Sequence, residues 1–232
     1  MMEDEETAPL VFISYSSEDA NRASDVRDEL QSNHYRSFLA HDDIEAAEDW
    51  HEQIWNNLQR AKGFVGLVTA DFNHSAFCQQ EIGAALALNK PSILLFCDAH
   101  RKVPGFAGRF QAVKRAKLLA SLNELPKFRP LRVEAWIRAS REARAFQEAN
   151  DIYKRFHDEW GTMTDDEKLR WILAGASNTQ IRNEGYLVGP FYKNAYREMK
   201  SLFTNQWLFE NDKDGFLHDI DSNPFARKNR KK

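Results

Sequence analysis

Leu10-Val11-Phe12-Ile13-Ser14-Tyr15 is a short, nearly unbroken apolar run that gives way at once to the polar cluster Ser16-Ser17-Glu18-Asp19. A run this short, stopped by a helix-start pattern, predicts a strand buried on both faces and a helix after it. The same alternation continues outward from there. Ala23, Val26 and Leu30 share a helical face in a segment expected to reach about Asn33, and Arg36-Ser37-Phe38-Leu39 reads as a second strand. After the polar loop His41-Asp42-Asp43-Ile44-Glu45-Ala46-Ala47, Trp50, Ile54, Leu58 and Ala61 predict a helix through about Lys62. Gly63–Thr69 is a third buried strand, and its glycines suit close packing. SAFCQQEIGAALAL, residues 75–88, is the next helix, with Ser75 as N-cap. Pro91–Cys97 is a fourth strand, and a weaker fifth is expected around Phe110-Gln111-Ala112-Val113. Strands alternating with helices, each strand apolar throughout, predict an α/β fold: a doubly wound parallel sheet covered on both faces.

The pattern changes after Leu125-Pro126. Val133, Trp136, Ile137, Phe146, Ala149, Ile152, Tyr153, Phe156 and Trp160 keep a helical period through a charged segment. Thr164-Asp165-Asp166-Glu167 is a capping-box pattern opening a helix that ends near Gly175, and a further helix is expected from Pro190 to about Gln206. Tyr192, Tyr196, Met199 and Phe203 form its apolar stripe, which reads as core. The expected organisation is a flexible acidic N-terminus over 1–8, an α/β domain over 9–125, a helical C-terminal region over 126–222 and a basic tail over 223–232.

The chain has 232 residues, of which 42% are hydrophobic and 29% charged, enough to bury a sizeable core. No apolar run approaches the roughly 20 residues of a membrane span, and the start MMEDEETAPL is acidic where a secretory signal is basic, so a cytoplasmic location is expected. Cys78 and Cys97 lie in apolar contexts without metal-ligand spacing and read as buried reduced thiols. Residues 1–125 hold 12 basic and 19 acidic side chains, residues 126–232 hold 20 and 16, and neither balance calls for nucleic acid. There is no G-x-G-x-x-G, Walker loop, G-x-S-x-G or H-E-x-x-H pattern, so no metal or bound cofactor is expected. A phospho-receiver domain shares the architecture but needs an acidic cluster after its first strand, where this chain has Ser14-Tyr15-Ser16-Ser17.

Doubly wound sheets bind ligands at the carboxyl ends of their strands, where the strand order reverses; for order 2-1-3-4-5 that crevice lies between strands one and three. The residues selected are Tyr15, Ser16, Ser17 and Asp19; Asp42 and Asp43; and Thr69 and Asp71. Glu81 lies in the first two turns of the helix beside the crevice, one turn after Phe77 on the same face. By spacing alone Glu81 reads as an exposed helix residue beside Gln79 and Gln80. The small residues Gly83-Ala84-Ala85 are expected to pack that helix on the sheet.

Three stretches then resemble a Toll/interleukin-receptor (TIR) domain, in the right order and over about residues 9–125. Val11-Phe12-Ile13-Ser14-Tyr15-Ser16 with Asp19 is similar to the family's first box, (V/I)FISYS-x-x-D. Phe38–Ile44 with Glu48 and Trp50 is similar to its second strand and BB loop. Ser75-Ala76-Phe77-Cys78-Gln79-Gln80-Glu81 is similar to its S-x-W-C-x-x-E motif. Phe77 stands where tryptophan is usual, and Glu45-Ala46-Ala47 where a pair ending in glycine is common. The resemblance implies a flavodoxin-like sheet and an NAD⁺-cleaving enzyme of the bacterial antiphage type, with Glu81 catalytic and Tyr15, Ser16, Ser17, Asp43 and Phe77 contacting the substrate. It also implies self-association through the BB loop, with Asp42 and Ile44 as contacts, and a second component of a defence system as a possible partner. NAD⁺ would be the substrate, and the product linear or cyclic ADP-ribose. A non-catalytic TIR adaptor is the competing expectation, and a nucleoside-processing transferase of similar fold a third.

Overall fold

The computed structural model describes residues 10–39, 50–97, 103, 105–110, 112–182, 188–203 and 217. The chain divides into two compact units, Met1–Ala135 and Trp136–Lys232.

In the first unit, β1 (Leu10–Ser14), β2 (Arg36–Leu39), β3 (Gly63–Val68), β4 (Ser92–Phe96) and β5 (Ala112–Lys114) form one sheet in the order β2-β1-β3-β4-β5. Every pairing is parallel, and the register sets Ile13 beside Leu39 and Ser14 beside Gly66. The expected doubly wound order is the observed one. Because side chains alternate across a strand, Val11, Ile13 and Tyr15 enter a core shared with α1 (Ala20–Gln31), α5 (Leu118–Glu124) and α6 (Arg129–Glu142). Leu10 and Phe12 enter the opposite core, beneath α2 (Trp50–Arg60), α3 (Ala70–His74) and α4 (Ala76–Ala87). Phe128, Leu131 and Ala135 lie in the first of these cores, which carries the compact unit ten residues beyond the sequence-based limit at 125.

Several boundaries differ from expectation for local reasons. The helix expected to reach Asn33 ends at Gln31, where His34 takes a φ of 65° and the His34 and Tyr35 amides donate to Gln31 and Leu30 carbonyls, both at 3.0 Å. Strand β5 begins at Ala112, later than Phe110, because the Phe110 amide donates to the Ala107 carbonyl and closes a 3-10 turn over Gly105–Arg109. Helix α4 turns Cys78, Glu81, Ile82 and Ala85 inward. Of the Gly83-Ala84-Ala85 trio only Ala85 is therefore buried, and Gly83 is exposed on the far side with nothing within 4 Å of a Cβ placed there. The close approach is instead at Gly66, where a Cβ would come 2.9 Å from Leu94 and 3.3 Å from Phe72.

The described residues of the second unit are helical. The long period expected through 133–160 is broken between α6 and α7 (Phe146–Glu159), where Ala145 is extended and the Arg144 amide donates to Glu148 Oε2 at 2.7 Å. The capping box is present at α8 (Asp165–Ala176). A short helix that the sequence reading lacked, α9 (Thr179–Arg182), follows from buried Asn178. Its Oδ1 accepts from the Gln180 amide at 2.8 Å while its Nδ2 donates to the carbonyls of Ser140 and Ala143 at the end of α6. One asparagine thus terminates one helix and starts another. Helix α10 (Val188–Met199) buries Tyr192, Tyr196 and Met199 as expected, but it starts earlier than Pro190 and gives way to a 3-10 turn at Lys200. Trp171 is fully buried against Phe156, Trp160, Phe191 and Tyr192.

Candidate functional site

Strand β1 lies inside the sheet between β2 and β3, and the residue at its carboxyl end is in register with Gly66 of β3. That end residue is Ser14, and it shares its face with Leu10 and Phe12. The helix covering this face, α4, starts where Ser75 accepts from the Cys78 amide at 3.3 Å, the cap expected from sequence.

Glu81 is one turn further along α4 on the buried side, 4% exposed. The reading of it as an exposed residue is overturned: the period that buries Cys78, Ile82 and Ala85 carries Glu81 inward with them. Ser14 Oγ donates to Glu81 Oε2 at 2.5 Å. The other oxygen, Oε1, is buried and has no hydrogen-bond partner among the described residues. Burial pushes the Glu81 carboxyl up to about 7, and the Ser14 bond opposes that rise by favouring the charged form. Cys78, one turn earlier and fully buried, is pushed up to about 11 by burial, with the Glu81 charge adding to the effect. It stays a neutral thiol and not a nucleophile. Neither cysteine is in a disulfide, and Cys97 is half-buried.

Asp19 and Thr69, selected at the same ends of β1 and β3, are joined to each other. Thr69 Oγ1 donates to Asp19 Oδ2 at 2.6 Å and accepts from the Phe72 amide at 3.0 Å, capping α3. Arg22 closes on the other oxygen of Asp19 at 2.6 Å. Both oxygens of this buried carboxylate are therefore engaged, and its work is to tie the two strand ends together. Thr69→Val, which keeps the shape and removes both bonds, is expected to cost about 2 kcal/mol. The urea midpoint reads this directly, and an unchanged midpoint would contradict the tie.

The remaining selected residues separate. Tyr15 is fully buried in the core on the opposite face of the sheet, because it follows Ser14 by one residue in an extended segment. Its side chain therefore lies away from the Glu81 face. Ser16 is buried, and its carbonyl accepts from the Asp19 amide at 2.7 Å in the 3-10 turn Ser17–Asp19; Ser17 is exposed at the turn's start. Asp71 is exposed on α3. Phe77 is 39% exposed on α4, one turn before Glu81, with its ring 6.2 Å from that of His51. Asp42, Asp43 and Ile44 lie outside the described residues. Ser14 was missed as a site residue, although period-2 alternation from Leu10 and Phe12 was signal enough to place it on the Glu81 side. Among the described residues no group of acidic, histidine or cysteine side chains is arranged to hold a metal. No described helix is long and apolar enough to cross a membrane.

The TIR-domain family pattern matches residues 11–125. No curated protein matches the chain significantly. Among solved structures, the chain is similar to the TIR domain of the Toll-related receptor TRR-2 from Hydra magnipapillata. The two are 18% identical, and the match covers 53% of this chain and 97% of that one at a TM-score of 0.44. With the three motifs on β1, at the end of β2 and at the start of α4, residues 11–125 of this chain are a member of the TIR domain family.

Proposed function

We propose that this chain is an NAD⁺ glycohydrolase in which the carboxylate of Glu81 stabilises the cationic ribose that forms as nicotinamide departs. The observation that carries this reading is the Glu81 carboxyl itself: buried at the carboxyl ends of β1 and β3, held through one oxygen and unpartnered at the other. An ordinary glycosidase needs a second carboxyl to protonate its leaving group. Nicotinamide needs none, because it leaves from a pyridinium whose ring nitrogen takes the bonding pair and becomes neutral. The ribose left behind is oxocarbenium-like, and a fixed carboxylate in a dry site stabilises it strongly. Water adding at the anomeric carbon, with loss of a proton, gives ADP-ribose; a nitrogen of the adenine adding there instead gives a cyclic product. Phe77, exposed one turn away, offers a ring face to the ligand. TIR domains commonly self-associate, which supports an enzyme whose activity rises with local concentration.

Concentrated protein incubated with NAD⁺ is expected to release nicotinamide, with the companion product identified by mass and retention. Because the free carboxyl titrates near 7, kcat/KM should rise with pH and level off above that value. Glu81→Gln should lose at least about 100-fold in turnover. A second reading, a TIR adaptor acting through protein contacts, is favoured by Trp55, which is 45% exposed on α2. Absence of nicotinamide release at every protein concentration would select it.

A further inference from the structure

We propose that Ser14 is the positioning residue of this site: its hydroxyl holds Oε2 of Glu81 and leaves Oε1 as the oxygen offered to a hydroxyl of the ligand. The inference rests on the glycohydrolase reading and adds a residue and an oxygen assignment to it. Ser14 has a single hydroxyl proton, and it is given to Glu81 at 2.5 Å in a fully buried setting. Its backbone lies in an interior strand of the sheet, so the donor cannot follow the carboxylate if that side chain swings. The neighbouring strand offers no competing side-chain partner, because the residue in register with Ser14 is Gly66, where a Cβ would come 2.9 Å from a Leu94 methyl group. A ligand with a hydroxyl donor, such as a ribose, then meets one acceptor in one orientation.

Among the described residues, the surroundings are nearly free of charge. Strands β1 and β3 bring no charged side chain to this face, and α4 brings the neutral Cys78. Helix α3 carries Asp71 and His74, and α2 carries His51, Glu52 and Arg60, all of them exposed. The Ser14 hydroxyl is thus the main local influence that favours the ionised carboxylate against burial.

The test compares wild type, Ser14→Ala, Ser14→Thr and Glu81→Gln as full chains, with NAD⁺ as the probe, across pH 5 to 9. Ser14→Ala should move the acid limb of kcat/KM upward by about one pH unit, a loss of about tenfold at pH 6 that shrinks by pH 9. Ser14→Thr, which keeps the hydroxyl, should return the limb toward wild type. Independently of turnover, the Glu81 side-chain carboxyl, followed by carbon NMR and assigned by its disappearance in Glu81→Gln, should titrate higher in Ser14→Ala. A limb and a carboxyl titration both unmoved in folded Ser14→Ala would overturn the positioning role while leaving Glu81 catalytic. No nicotinamide release from wild type at any pH, or full activity in Glu81→Gln, would instead remove the glycohydrolase reading and this role with it.

Discussion

Replacing Glu81 by glutamine is expected to inactivate the protein and to raise its stability relative to wild type as the pH climbs to neutrality. The two effects share one cause. In the unfolded chain the Glu81 carboxyl titrates near its ordinary value of 4.5, whereas burial raises it to about 7 in the fold. Below pH 4.5 the group is protonated in both states and costs nothing. Between 4.5 and 7 the native state retains a proton that the unfolded chain has released, so stability falls as pH rises through that window. Above 7 the loss is complete, at about 3 kcal/mol. Glutamine does not titrate, so the stability of Glu81→Gln relative to wild type should improve by about that amount between pH 4.5 and 8. Any constant cost of fitting the amide beside Ser14 cancels in the comparison across pH. Urea midpoints measured in steps over this range read the trend, and a difference independent of pH would show that the carboxyl is not buried in solution. A site that weakens the fold at the pH where it works is what a functional carboxylate is expected to show.

Trp171→Ala should produce the largest loss of stability in the chain, about 3–5 kcal/mol in the second unit. Trp171 is fully buried, its ring lies within 5.6 Å of four other aromatic rings, and its indole nitrogen donates to Ser140 Oγ at 2.9 Å. Truncation removes the packing of one ring on all of those neighbours and leaves the Ser140 hydroxyl without its donor. Gly175, on the same helix, leaves little room for repair: a Cβ there would already overlap the Tyr192 ring and stand 3.0 Å from Ile181. For a unit of about this size each kcal/mol lowers the melting point by roughly 4–8 °C. A calorimetric transition for this unit should therefore fall by more than about 10 °C. Trp171→Phe, which keeps most of the volume and loses the Ser140 bond, should fall by much less. Equal losses in the two variants would assign the effect to the hydrogen bond and not to packing.

The parallel sheet and the helices around it were legible in the sequence because burial on both faces forces each inner strand to be largely apolar, as in Leu10–Ser14, Gly63–Val68 and Ser92–Phe96, while the strand order came from the resemblance. Local signals were legible too. The caps at Ser75 and Thr164 form because an oxygen at that position satisfies amides only a few residues away. The break at Ala145 and the helix started by Asn178 were not legible, since Asn178 acts on carbonyls 35 to 38 residues earlier.

At the site, sequence position was sufficient to place Glu81 beside the crevice and Phe77 one turn before it. It did not say that Glu81 is buried, because a helix face is inward only relative to the sheet beneath it. Nor did it separate Ser14 from Tyr15, adjacent residues whose side chains the pleat sends to opposite faces. The pattern of apolar residues therefore determined the fold and the neighbourhood of the site. The Ser14–Glu81 bond spans 67 residues and exists only once β1 and α4 have packed, so the tertiary structure alone decided which hydroxyl holds the carboxylate and which oxygen it leaves open.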